Sequence, residues 1–169
     1  RDGSVPVTGP AASATQPTQS GDSGAYGFGN AGGVSHTCSN SGAGGGGGAG
    51  AVGQNGRMTS CGPAAPTPVN PAYEWAGQGG VGKAYTIADG TTSVYYSGGG
   101  GGTVNCPAPV GPTNKGFGGQ GGGGDGGLYN CNTVGQHGTA NTGGGAGGGS
   151  ESTTPVGRSG GKGIVIVKF

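Results

Sequence analysis

Leu128 is the only leucine in this chain of 169 residues, which also has one Met and one Trp. Apolar residues make up 29% of it, against about 45–50% in ordinary globular domains. That leaves very little for an ordinary hydrophobic core. No window of about 18 apolar residues occurs, which excludes a membrane-spanning helix. Nowhere do apolar residues recur at i, i+3 and i+4 among helix formers, so no helix is predicted at all. Charged residues are 8% of the chain and the net charge is +1. That leaves neither a basic footprint for nucleic acid nor the self-repulsion of a charged disordered tail. With 11 Pro beside 50 Gly, the chain lacks the proline and the unbroken G-X-Y period of collagen.

Chemistry is equally sparse. Asp2, Asp22, Glu74, Asp89, Asp125 and Glu151 form no paired-carboxylate motif, and there is no nucleophile elbow or His/Asp/Ser arrangement. The expected protein is not an enzyme and uses no cofactor. No C-x-x-C occurs, and the spacings around His36, Cys38, Cys131 and His137 match no zinc pattern, so no metal site is expected. Residues 77–83, GQGGVGK, fit the first part of a phosphate loop. Ala84 stands where a magnesium-binding hydroxyl belongs, however, and a hairpin rather than a helix follows. The match is read as a by-product of glycine abundance.

What the chain does contain is glycine in runs, at 42–56, 98–102, 116–127 and 143–149. Glycine gives up more conformational freedom on folding than any other residue and brings no side chain. Such runs are flexible linkers or are packed main chain to main chain. Gly44, Gly47, Gly50, Gly53 and Gly56 recur every third residue, as do Gly118, Gly121, Gly124 and Gly127. That period is the three residues per turn of the extended left-handed helix. A bare face then repeats along each rod, and neighbouring rods can satisfy one another's N–H and C=O groups.

What lies between the runs favours packing. Residues 83–97, KAYTIADGTTSVYYS, read as a β-hairpin, with Tyr85 and Ile87 alternating before Asp89-Gly90 and Val94 and Tyr96 after it. Residues 163–169, GIVIVKF, form a β-branched run too short for a helix, expected to be a C-terminal β-strand buried on both faces. The fold expected is irregular to all-β and helix-free: a bundle of polyglycine II rods tied by one hairpin and that strand. Residues 1–30, polar and rich in Ser, Thr, Pro and Gly, are expected to be an extended arm or linker, and 31–169 the glycine-rich domain. Because the chain opens on Arg1, with nothing like a signal peptide, it reads as a fragment or processed piece of a longer protein.

Cys38, Cys61, Cys106 and Cys131 leave two readings open. Paired 38–61 and 106–131, each bridge would clamp a glycine loop and contribute about 3 kcal/mol. Unpaired, they are four thiols in a particle assembled in a reducing compartment. Among the aromatics, Tyr85, Tyr96 and Phe169 are expected to plug the ends of the bundle. Tyr73, Trp75, Tyr95 and Tyr129, set on loops of a rigid scaffold, are the candidate receptor-binding residues.

Four stretches carry a family resemblance. Arg1-Asp2-Gly3-Ser4, with Pro6 and Thr8-Gly9, resembles a phrase recurring in bacteriophage tail-fibre and collar proteins. Ser97 to Gly102, then 138–145 (GTANTGGG), then 159–169 (SGGKGIVIVKF) are similar, over roughly residues 77–169, to the glycine-rich C-terminal domain of phage tail fibres and some bacterial surface proteins. Pro107, Pro109, Pro112 and the cysteines depart from that pattern. The resemblance implies a non-enzymatic tip or adhesin of a tail fibre, on a virion or outside the cell, in which loops between polyglycine II rods bind the host. Its expected partners are a host surface glycan or outer-membrane protein and other fibre subunits, in a homo-oligomer, with no nucleic acid and no membrane span. The same rods and strand also suit a subunit of an extracellular filament or surface layer. An ice-binding glycine-rich protein is a third reading, against which the proline-rich middle argues.

Overall fold

The computed structural model describes residues 29–35, 42–56, 76–105, 114–129, 133–149 and 157–167. Among them there is no helix, and the regular strands are short. Strand β1 (Lys83–Tyr85) pairs antiparallel with β2 (Val94–Tyr96), Lys83 facing Tyr96 and Tyr85 facing Val94. This register is centred on Asp89-Gly90, as a two-residue turn there would require. The ladder nevertheless stops at Tyr85, and the tip is held locally. Gly90, at φ 84°, donates to the Thr86 carbonyl at 2.7 Å. The Asp89 carboxylate accepts from the amides of Thr91 and Thr92 at 2.8 and 2.7 Å. A hydrogen bond from the Thr92 side chain is the largest influence and those amides the next; together they hold the Asp89 pKa at about 2, below its ordinary 3.8.

The glycine runs form extended segments whose main-chain hydrogen bonds recur every third residue. Ala43, Gly46 and Ala49 donate to the carbonyls of Thr103, Gly100 and Ser97, an antiparallel pairing. Gly98, Gly101 and Val104 donate to Gly121, Gly124 and Gly127, a parallel one. The β1–β2 register continues straight into this pattern. Three residues before Lys83 and three after Tyr96, Gly99 donates to Gly80; a further three along, Gly102 donates to Gly77.

Segment 98–102 is the hub. All five of its residues are buried. Its amides reach Gly77, Gly80, Gly121 and Gly124, and its carbonyls accept from Gly46, Gly116, Gly119, Gly145 and Gly148. Such contact requires bare backbone: a Cβ on Gly99 would lie 2.1 Å from the Gly46 carbonyl oxygen, and one on Gly79 2.0 Å from that of Gly99. Main-chain pairing thus takes the place of a side-chain core. The buried apolar side chains among the described residues are Ala76, Val104 and Leu128. They gather where β3 (Val104–Asn105) pairs parallel with β4 (Leu128–Tyr129).

Two expectations are corrected. The run 116–127 is not one rod: Gly121 and Gly122, at φ 103° and 90°, turn it back so that Gly123 and Gly126 donate to Gly119 and Gly116. Likewise 42–56 reverses near Ala49–Ala51, with Gly48 donating to Ala51 and Gly45 to Gln54. Folding back lets a run satisfy its polar groups on itself. The second correction concerns the terminal run, whose described residues, 163–167, are neither a strand nor buried. Val165 is 89% and Val167 67% exposed, and among the described residues 164–167 neither donate nor accept a hydrogen bond. Two-sided burial needs an apolar layer on each face, and among the described residues the interior is mostly backbone, which offers none.

Candidate functional site

The hairpin alternates, so Lys83, Tyr85 and Ile87 share a face with Tyr96, and Ala84 and Tyr95 share the other. The first face forms one wall of a cleft of about 920 Å³. Across it stand Ile164 and Ile166, alternate residues of the terminal run, while Val165 and Val167 point away into solvent. The floor is main chain, from Gly47, Gly48, Gly98 and Gly145 among others. The terminal run is positioned by the segment before it: Gly161 donates to Gly144, and Lys162 accepts from Gly143 at 3.1 Å. His137 adds a side-chain tie, its Nδ1 accepting from the Ser159 amide at 3.0 Å.

Ser97 stands at the join of hairpin and floor with φ 58°, a conformation that L-residues other than Asn and Asp seldom adopt. It is clamped there by its own amide, which donates to Thr142 at 2.8 Å, and its carbonyl, which accepts from Ala49 at 2.9 Å. Thr142 is fixed in turn, its hydroxyl donating to the Thr139 carbonyl at 2.7 Å and accepting from the Gly144 amide at 3.1 Å. Lys83 is the one lining residue of fixed charge among those described. The site is therefore aromatic and aliphatic on its walls, amide-like on its floor and weakly charged.

Of the expected receptor-binding residues, Tyr95 lies on the hairpin face turned from the cleft and is half-buried, and Tyr129 is exposed on β4 beside buried Leu128. Neither lines the cleft. Tyr73 and Trp75 lie outside the described residues, as do Phe169 and the four cysteines Cys38, Cys61, Cys106 and Cys131. Tyr85 and Tyr96, expected as plugs, are half-buried and line the cleft. Strand alternation alone already places them on one face. What it cannot show is that Ser97 is strained or that the terminal run lies opposite.

The phosphate-loop look-alike is spent on packing. The amides of Gly77, Gly79, Gly80 and Gly82, which an anion would need, donate to Ala43, Phe117, Gly46 and Gln120. No helix of the described residues is long and apolar enough to cross a membrane. In comparison with known proteins, a family described as a glycine-rich domain matches residues 2–169. No curated protein and no solved structure matches.

Proposed function

This chain belongs to the glycine-rich domain family, and on that premise we propose that it is a non-enzymatic structural and binding module, the tip or adhesin of a phage tail fibre, attaching to a host surface receptor. The observation that carries this reading is a rigid scaffold made of main chain. Hydrogen bonds step in threes along both parallel and antiparallel neighbours, which supports polyglycine II rods with three residues per turn. Turns and hairpin are then free to carry recognition, the division of labour common to scaffolds that bind. The partner is a host glycan or outer-membrane protein, the setting a virion or the cell exterior, and the working form a homo-oligomer.

Immunogold electron microscopy of particles, with binding of the labelled full chain to bacterial cells, tests this. Label confined to fibre ends and saturable cell binding are expected. Purified protein growing into open helical polymers, with no particle labelling, overturns the proposal. It would favour a filament or surface-layer subunit, the reading for which the exposed, unpaired run 163–167 speaks.

A further inference from the structure

We propose that the cleft between the hairpin face and the terminal run binds a neutral oligosaccharide, with Tyr85 and Tyr96 as its apolar platforms and Ser97 as a hydroxyl contact. This deepens the attachment reading and rests on it for the biological source of the sugar.

The first support is the composition of the walls and rim. Tyr85, Tyr96, Ile87, Ile164 and Ile166 offer apolar surface. Around it are polar main-chain groups that the packing leaves unspent. Among the described residues, Gly47 engages neither its amide nor its carbonyl, and the carbonyls of Ala49 and Gly143 accept nothing. A purely apolar ligand would desolvate these groups without replacing their bonds to water, a cost that opposes binding. Among the described residues, a multiply charged ligand would meet a single cation, Lys83. A pyranose has C–H faces for tyrosine and isoleucine and hydroxyls for amide, carbonyl and serine, so it answers both kinds of surface. The volume, about 920 Å³, sits near the top of the roughly 300–1,000 Å³ range of small-molecule sites, which suits several linked sugars rather than one.

The second support is Ser97. Its φ of 58° is one that glycine adopts at no cost, and a run of five glycines follows it in a chain holding 50. Serine is kept at this strained position, at the edge of the cleft, with its hydroxyl unbonded among the described residues. Strain held where the fold would favour another residue points to use of the side chain.

The test is calorimetric titration of the full chain with neutral tetrasaccharides of glucose, galactose, mannose and N-acetylglucosamine. An acidic galacturonate tetramer, the apolar dye anilinonaphthalene sulfonate and a Val/Ile-rich strand peptide serve as comparators. At least one neutral tetrasaccharide is expected to bind, its Kd rising about tenfold in Tyr85→Ala and in Tyr96→Ala. In Ser97→Gly, which relieves backbone strain while giving the unfolded chain more freedom, Kd should rise about threefold while Tm stays close to the parent's. Tyr95→Ala, on the opposite face, should bind as the parent does. The proposal is overturned if no neutral tetrasaccharide binds, if only a comparator does, or if binding ignores both Ser97→Gly and Tyr96→Ala. Cell attachment that survives Ser97→Gly and Tyr96→Ala removes the cleft from recognition but spares the attachment reading. Sugar binding without cell attachment does the reverse.

Discussion

Individual glycines in this molecule are not equivalent, and a methyl group added to each separates two kinds. Gly99→Ala would push Cβ to 2.1 Å from the Gly46 carbonyl oxygen; because both partners are backbone, we expect destabilisation of at least about 1–3 kcal/mol. Gly157→Ala, with nothing within 4 Å, should be neutral or stabilise by up to about 1 kcal/mol by narrowing the unfolded ensemble. Urea denaturation of both variants measures the contrast, and equal costs would refute main-chain packing. Asp125 is the side-chain counterpart. One carboxylate oxygen accepts from Lys115 Nζ and the other from the Gly118 amide, both at 2.9 Å, and Lys115 also lies 5.5 Å from the Phe117 ring centroid. Asp125→Ala leaves an amide and an ammonium without these partners and should cost about 1–3 kcal/mol, read from the shift in denaturation midpoint. The three-residue glycine period was legible in the sequence, and every member from Gly44 to Gly56 does prove crowded by neighbouring backbone. The strain at Ser97 was not legible, since its φ is imposed by Ala49 and Thr142, both distant in sequence.

Among the elements, the β1–β2 hairpin was the most readable, because alternation and the Asp89-Gly90 signal agree on one register. Its tip gives a pH prediction. The folded pKa of Asp89 is depressed from 3.8 to about 2. Its contribution is therefore complete above the ordinary value and is lost as pH falls from 3.8 through about 2. Amide shifts of Thr91 and Thr92, followed by NMR down to pH 2, should move together over that window, and in Asp89→Asn they should stay flat. The parallel β3–β4 pair escaped sequence reading because two-residue strands carry no periodicity, and its stability comes from the local burial of Val104 and Leu128. The terminal run misled for a physical reason. Its β-branched residues do favour an extended chain, but whether such a chain is covered depends on neighbours that composition does not name. Only its Ile face found any, across the cleft.

Among the described residues, amide–carbonyl pairing is far more extensive than apolar burial, and the thermodynamics of the whole molecule should show this. Exposure of apolar surface dominates the heat capacity of unfolding. Calorimetry should therefore give a value per residue well below the usual roughly 12–15 cal/mol/K, and a correspondingly flat stability curve. A normal value would mean that a side-chain core does most of the holding. Amide exchange should be slowest in 98–102, which lies in the middle of the network, and fastest in 164–167, which takes no part in it.

The step of three that runs through the network also restricts how the chain can change length. On the proposed polyglycine II geometry, removing one residue from 98–102 turns everything after it by about a third of a revolution, so donors meant for Gly77 and Gly80 face the wrong neighbour. Removing three restores the phase and only shortens the segment. Insertions and deletions inside these segments should therefore survive in triplets, while the exposed hairpin tip at 88–91 tolerates any number, a pattern that a deletion library scored for folded protein would reveal.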